Sequence, residues 1–283
     1  MSVGHYENFP VASVLCPPEL RAPIRAIYHF ARTADDLADE GDASAEQRRA
    51  DLRVYRDALH ATAQGDVAAR WPDVFRPLAA AMQAHHLPLN LLDDLLSAFL
   101  QDCANPVYPD RAALLDYCRR SANPIGRLLL HLCGIDDALS LRQSDAICTA
   151  LQLVNFWQDP SLDLPRGRHY IPVADAERHR LDLDQLAQQG DTPASQAMLG
   201  ELVAWAATLM AEGAPLVLRV PGRMGWELRL VVQGGLRVLE RIVAMHCCTL
   251  RQRPVLGATD LGVMLWRTAR MRPGRLTPGL TLA

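Results

Sequence analysis

Apolar positions recur at three- and four-residue intervals along almost the whole chain, the period of a helix rather than of a strand. The pattern predicts helices over about 18–40, 45–64, 74–84, 89–102, 111–133, 138–159, 183–189, 194–212, 222–246 and 258–271. Punctuation agrees with it. Pro17-Pro18 opens the first helix and Gly41 closes it. Ser44 with Gln47 resembles a capping box for the next. Trp71-Pro72 marks a loop, Asn105–Pro109 a turn, and Gly134 a stop. The stretch 111–133 reads as one helix through Asn123-Pro124, and Pro160–Pro172 reads as irregular. No strand pair, hairpin turn or internal repeat is legible. No linker is long enough to divide the chain, so residues 1–271 read as one all-α domain and 272–283 as a frayed tail.

Two helices break the apolar pattern in the same way. On the first, Tyr28, Arg32, Asp35 and Asp39 fall within one narrow sector, bordered by Ile24, Ile27, Ala31, Ala34 and Ala38. On the second, Gln152, Asn155, Asp159 and Asp163 form a similar stripe among Leu151, Leu153, Val154, Phe156 and Trp157. Carboxylates four residues apart on a helix repel each other, and burying them is costly without a cation. A charged helix end accounts for one such stripe alone. Two of them, both predicted to face inward, point to a divalent cation held by oxygen ligands. Mg²⁺ fits best, and Mg²⁺ commonly accompanies a phosphorylated substrate. Other acidic pairs, Asp93-Asp94 and Asp136-Asp137, have no matching stripe and read as caps and surface; Asp102 could be either.

Composition narrows the choice. At a net charge of −3, no polybasic field argues for nucleic acid. All 29 basic residues are Arg. The chain therefore has neither a Schiff-base lysine nor a P-loop lysine. Seven cysteines without C-x-x-C spacing, and no signal-peptide pattern, read as reduced core thiols of a cytoplasmic protein. Nine histidines form no zinc-like cluster. EF-hand spacing is absent, and no uninterrupted apolar run reaches a membrane-spanning length.

The two stripes resemble the paired motifs of the squalene/phytoene synthase family, and the likeness extends over roughly residues 4–271. Tyr28, Arg32, Asp35 and Asp39 match its first motif. Gln152, Asn155, Asp159 and Asp163 match its second, with Arg168 and Tyr170 in the tail of that motif. His5 and Phe9 resemble the segment that closes over the diphosphate. Tyr117, Ser121, Ala122, Ile125 and Gly126 resemble the helix that lines the cavity, and Arg253 falls where a further diphosphate-binding arginine often sits.

The resemblance implies an isoprenoid-synthase helical bundle with a central cavity. It implies that Asp35, Asp39, Asn155, Asp159 and Asp163 hold Mg²⁺ against a prenyl diphosphate. Within the family, residues 4–13 and Asn155–Asp159 resemble the branch of bacterial hopanoid biosynthesis that ionises presqualene diphosphate and quenches the cation with water to give hydroxysqualene. Glu7 and Gln158 stand where condensing members often carry cations, which suits a site for one diphosphate rather than two. Phe9, Tyr28, Phe30, Phe156 and Trp157 are aromatic candidates for cation stabilisation; Tyr28, Tyr117 and Tyr170 are hydroxyl candidates for placing the water. Pro160 should bend the second stripe before Asp163.

Two other readings compete. One is condensation of two farnesyl diphosphates to presqualene diphosphate, squalene or a carotenoid precursor. The other is a non-catalytic assembly protein of the same fold. The expected partners are the prenyl diphosphate and neighbouring enzymes of the pathway, with peripheral contact at the inner face of the cell membrane.

Overall fold

Thirteen α-helices and two 3₁₀ turns account for most of the described residues, 16–67 and 69–277 of a computed structural model. In chain order the helices are α1 (Pro18–Asp39), α2 (Ala45–Ala63), α3 (Pro72–His85), α4 (Leu89–Asp102), α5 (Arg111–Ser121), α6 (Asn123–Leu132), α7 (Ala138–Gln158), α8 (Pro160–Asp163), α9 (Val173–Arg178), α10 (Leu183–Gln189), α11 (Pro193–Gly213), α12 (Gly222–Ala244) and α13 (Ala258–Arg270). The 3₁₀ turns are Leu164–Arg166 and Ala214–Leu218. No strand occurs among the described residues, so the all-α expectation stands.

Local chemistry sets most boundaries. Ser44 accepts a hydrogen bond from the Gln47 amide and caps α2, Asp110 does the same for α5, and Asp137 for α7. Two expectations fail at prolines. The predicted helix 111–133 is two helices broken at Ala122 (φ −119°, ψ −46°). Pro124 has no N–H for the ladder, so α5 closes through the Ala122 amide on the Cys118 carbonyl and α6 restarts beyond it. The stretch after Pro160 is not irregular throughout. Pro160 occupies the first position of α8, where a missing N–H costs nothing, and the chain makes one more helical turn. The short α9 and the 3₁₀ turn 214–218 are too brief to leave a periodic signature.

Three apolar clusters hold the bundle. One joins α1 to α4 around Phe30, Tyr55 and Phe75. A second joins α5, α7, α11 and α12 around Trp157, Leu199 and Leu239, and a third lies beneath α6, α7 and the 214–218 turn. Each fully buried large side chain contributes about 1.5–3 kcal/mol. The central contact is α7 against α11. It is close because Gly213 has no side chain: a Cβ there would lie 2.6 Å from the Gln143 carbonyl oxygen. The segment Pro193–Leu218 is apolar and long enough to cross a membrane. Met198, Leu199, Leu202, Val203, Ala206 and Met210 are nevertheless fully buried, which makes α11 a core helix. All seven cysteines are free thiols.

Candidate active site

Most of the surface of α1 is spent on packing. Ala26, Phe30, Ala34 and Ala38 are buried against α2–α4. The face left over carries Tyr28, Arg32 and Asp35, and it forms one wall of a cavity of about 510 Å³. The other walls are mostly apolar: Ile125, Gly126 and Leu129 from α6, Ile147 and Leu151 from α7, and Leu228 from α12, with Ser144 of α7 and Glu227 of α12 as polar members. Gly126 lets α6 approach α7, since a Cβ at that position would lie 2.3 Å from Ser144 Oγ and 2.5 Å from Cys148 Sγ. Arg32 and Asp35 mark one charged end; Ile24 lies about three turns earlier on α1, and Cys16 lies just before the helix.

The second stripe reaches the charged end from α7 and α8. The Asp159 amide still bonds to the Asn155 carbonyl, and the Asp163 amide bonds to the Asp159 carbonyl, so Asp163 stays one turn beyond Asp159 despite Pro160. Two arginines from later in the chain close onto the stripes. Arg168 pairs with Asp39 at 2.8 Å, and Arg253 clasps Asp159 at 2.5 and 3.4 Å. Arg32 is held within its own helix by Asp35 at 2.9 Å and Asp36 at 2.6 Å.

These cations do not fully compensate the carboxylates. Burial, and then the charge of Asp39, raise the Asp35 carboxyl to about 6, against the pull of Arg32. Burial, and then Asp159, raise Asp163 to about 7, with Arg168 and Arg166 opposing and Asp39 adding to the rise. The charge of Asp39 is thus felt on both stripes, as it must be if they face each other. Perturbation of this kind, caused by burial and like charges, is typical of functional sites.

Asp102 belongs to the same group. Its carboxyl is raised to about 7 by burial and by the charges of Asp39 and Asp35, although the Tyr117 hydroxyl donates to Oδ2 at 2.8 Å. Its Oδ1 is buried with no hydrogen-bond partner among the described residues. A signal for it was present in the sequence: Asp102 continues the buried row Leu91, Leu95, Ala98 of α4.

The other expected residues divide. Tyr117 and Tyr170 join Tyr108 and Phe156 in an aromatic group, with Tyr170 stacked on Phe156 at 3.8 Å. Gln152, Ser121 and Ala122 are half-buried but are not among the walls of the cavity, and the Ser121 hydroxyl has no partner among the described residues. Asn155 is exposed, which corrects the expectation that the whole second stripe faces inward. The reason is its place near the end of α7, where its neighbours Val154 and Phe156 take the buried positions.

Phe30 and Trp157 are fully buried in separate core clusters, away from the cavity, so they are packing residues. Gln158 is also fully buried, and its Nε2 donates to the Pro254 carbonyl at 2.8 Å. That bond anchors the segment carrying Arg253, so Gln158 holds a loop in place. Its neutrality therefore does not report how many diphosphates the site takes. His5, Glu7 and Phe9 lie outside the described residues.

Among the described residues no three His, Cys, Asp or Glu side chains converge as a preformed metal cluster. The donor set is nonetheless all oxygen and under-compensated, as a hard cation requires. Mg²⁺ keeps several waters and takes only one or two carboxylates alongside substrate phosphate, so opposed pairs suit it better than a closed cage would. Asp35 and Asp39 on one side fit such an ion, and Asn155, Asp159 and Asp163 fit it on the other.

A helical bundle with an apolar cavity and two opposed carboxylate stripes defines a prenyl-synthase architecture. The family model for squalene/phytoene synthase matches residues 3–260, and the chain belongs to that family. A hydroxysqualene synthase from Sinorhizobium fredii is 33% identical over 279 residues, covering 96% of this chain and 92% of its own. Another, from Zymomonas mobilis, is 42% identical over 171 residues, covering 60% of this chain and 56% of its own. The crystal structure of the squalene synthase HpnC from Alicyclobacillus acidocaldarius superposes with a TM-score of 0.78 at 36% identity, covering 86% of this chain and 90% of that one.

Proposed function

We propose that the protein converts presqualene diphosphate and water to hydroxysqualene and diphosphate. The cavity carries this reading: its walls are mostly apolar and Arg32 and Asp35 stand together at one end of α1's stretch of wall, in a chain that aligns almost throughout with a hydroxysqualene synthase. The carboxylates of Asp35, Asp39, Asp159 and Asp163, with the Asn155 amide oxygen, would hold Mg²⁺. When bound, the ion supplies charge neutralisation for the departing diphosphate.

Arg168 and Arg253 sit on Asp39 and Asp159, the carboxylates the ion would engage. On substrate binding they exchange these partners for diphosphate oxygens, giving charge-assisted hydrogen bonds. The C–O bond to diphosphate then breaks, leaving a cyclopropylcarbinyl cation that opens to a thirty-carbon allylic cation along the mostly apolar walls, which exclude bulk water. Tyr28 lines the cavity beside Arg32 and carries a hydroxyl, which supports it as the tyrosine to test first for holding one water there. That water adds to the cation, and its proton passes to the released diphosphate. Tyr117 is less suited, because its hydroxyl is engaged by Asp102.

Turnover of presqualene diphosphate in water labelled with heavy oxygen tests the reading. Label in a thirty-carbon alcohol is the expected result. An unlabelled hydrocarbon, or efficient turnover of two farnesyl diphosphates to a thirty-carbon product by this protein alone, would overturn it.

A further inference from the structure

The segment from Val255 to Thr277 differs from the rest of the surface. Four of the most exposed large apolar side chains lie within it: Val255 at 54%, Leu261 at 50%, Leu265 at 52% and Trp266 at 53%. Its only acidic residue is Asp260, which is fully buried and bonded to Arg237 and Arg241 on α12. Its basic residues are Arg267, Arg270, Arg272 and Arg275. Arg267 is tied to Glu240, whereas Arg270, Arg272 and Arg275 are exposed. The Arg270 guanidinium lies 4.3 Å over the Trp266 ring. A chain of net charge −3 therefore carries, in and around one helix, three exposed cations, four exposed apolar side chains and no exposed carboxylate within that segment.

The buried side of α13 is already satisfied. Met264 and Thr268 face inward, Asp260 is locked to α12, and Met271 packs beneath the helix end with Val217 and Val220. The outer row of Leu261, Leu265 and Trp266 thus has no packing task within the described residues.

We infer that the outer face of α13 docks on a bilayer containing anionic lipid, with Leu261, Leu265 and Trp266 in the interface and Arg270, Arg272 and Arg275 on the headgroups. Leucine and tryptophan beside arginine is the composition of an interfacial amphipathic helix. Anionic headgroups complement the cations, whereas a second copy across a twofold axis would set arginine against arginine. The helix beneath, α12, lends Met224, Leu228 and Val231 to the cavity wall, so a docked membrane lies one helix layer from the cavity.

The inference stands on surface composition and not on the proposed reaction, and its test uses no turnover. The full chain is floated with vesicles of phosphatidylcholine alone or mixed equally with phosphatidylglycerol, at low and high salt. Flotation with the mixed vesicles only, weakened by salt, is the expected result. Substituting Arg270, Arg272 and Arg275 by Gln should weaken partitioning roughly fivefold per arginine. The combined Leu261→Ser, Leu265→Ser and Trp266→Ser variant should abolish it, with an unchanged far-ultraviolet circular dichroism spectrum. Wild-type protein that stays in solution overturns the inference. So does a folded triple-serine variant that floats like the wild type, or a dimer in sedimentation that this variant dissociates.

Discussion

Two groups of aspartates in this molecule share a residue type and differ in company. Asp260 is fully buried between α12 and α13, yet its carboxyl is held at about 2. Burial pushes it up, but hydrogen bonds from Arg241, the Gly257 amide and Arg237 outweigh the push. Asp175, joined to Arg111 and Arg178, is likewise held low against burial. Asp35, Asp102 and Asp163 go the other way, to about 6 or 7, because burial first and like charges second outweigh the donors and cations near them. The first group is a finished structural network. The second is left short of positive charge, which a cation and its diphosphate would supply. The more deeply buried pair is the one held low, so the balance of donors around each carboxylate, rather than depth, separates the two groups.

The strongest way to break this contrast is to neutralise Asp159, whose charge helps raise Asp163, and Asp260 of the finished network. Asp159→Asn should lower turnover roughly 10²–10³-fold, the usual cost of removing one electrostatic partner of a developing charge, with an unchanged melting curve. Asp260→Asn should do the reverse, losing about 2–3 kcal/mol of stability in urea unfolding because Arg237 and Arg241 lose their counter-ion. Unfolding on the Asp159 change would make the site a structural network after all.

Ligand addition is the next test. Mg²⁺ with inorganic diphosphate, at a hundredfold excess over its dissociation constant, should stabilise the wild type by about 2.7 kcal/mol in a thermal shift assay. The shift should vanish in Asp35→Asn and persist in an Asp175→Asn variant that remains folded.

A smaller effect concerns pH. The folded-state carboxyl of Asp102 lies above its unfolded value, so the folded protein binds the extra proton. Stability from this group is present at low pH and lost as pH rises to and through about 7. Without Mg²⁺, Asp102→Asn should therefore melt close to the wild type at low pH and above it in alkaline buffer, since Asn can still accept the Tyr117 bond. An identical pH profile for both proteins would remove Asp102 from the under-compensated group. The smallest expected effect is that of Gln158→Leu, which frees the Pro254 carbonyl. It should weaken diphosphate binding by about fivefold through displacement of Arg253, measurable as competitive inhibition by inorganic diphosphate.

Both stripes were visible in the sequence because the relation within each is local: a residue and its neighbour one turn away. The boundaries of α1, α4 and α10 were visible for the same reason. What remained hidden depends on contacts between distant segments. The pair of Asp159 with Arg253 spans 94 residues, and no helical period encodes it. Asp102 read ambiguously because a carboxylate ending a helix is usually a solvated one, and only the packing of α4 shows that it is buried. The break at Ala122 was missed because a proline can start a helix as well as interrupt one, and spacing alone does not distinguish these outcomes. Gln158 looked like a lost cation until the structure showed its side chain bonded to the chain beside Arg253.

The course of α1 along the cavity has one more consequence. Asp35 stands at the charged end, Ile24 lies eleven residues earlier, and both line the same space. At 1.5 Å per residue that is roughly 16 Å of straight helix. In the proposed reaction, with the diphosphate held at one end, α1 would serve as a graduated rule laid beside the substrate. Tyr28, Ile27 and Ile24 are successive marks on it, and the bulk at each mark sets how long a chain can lie there before it must fold back.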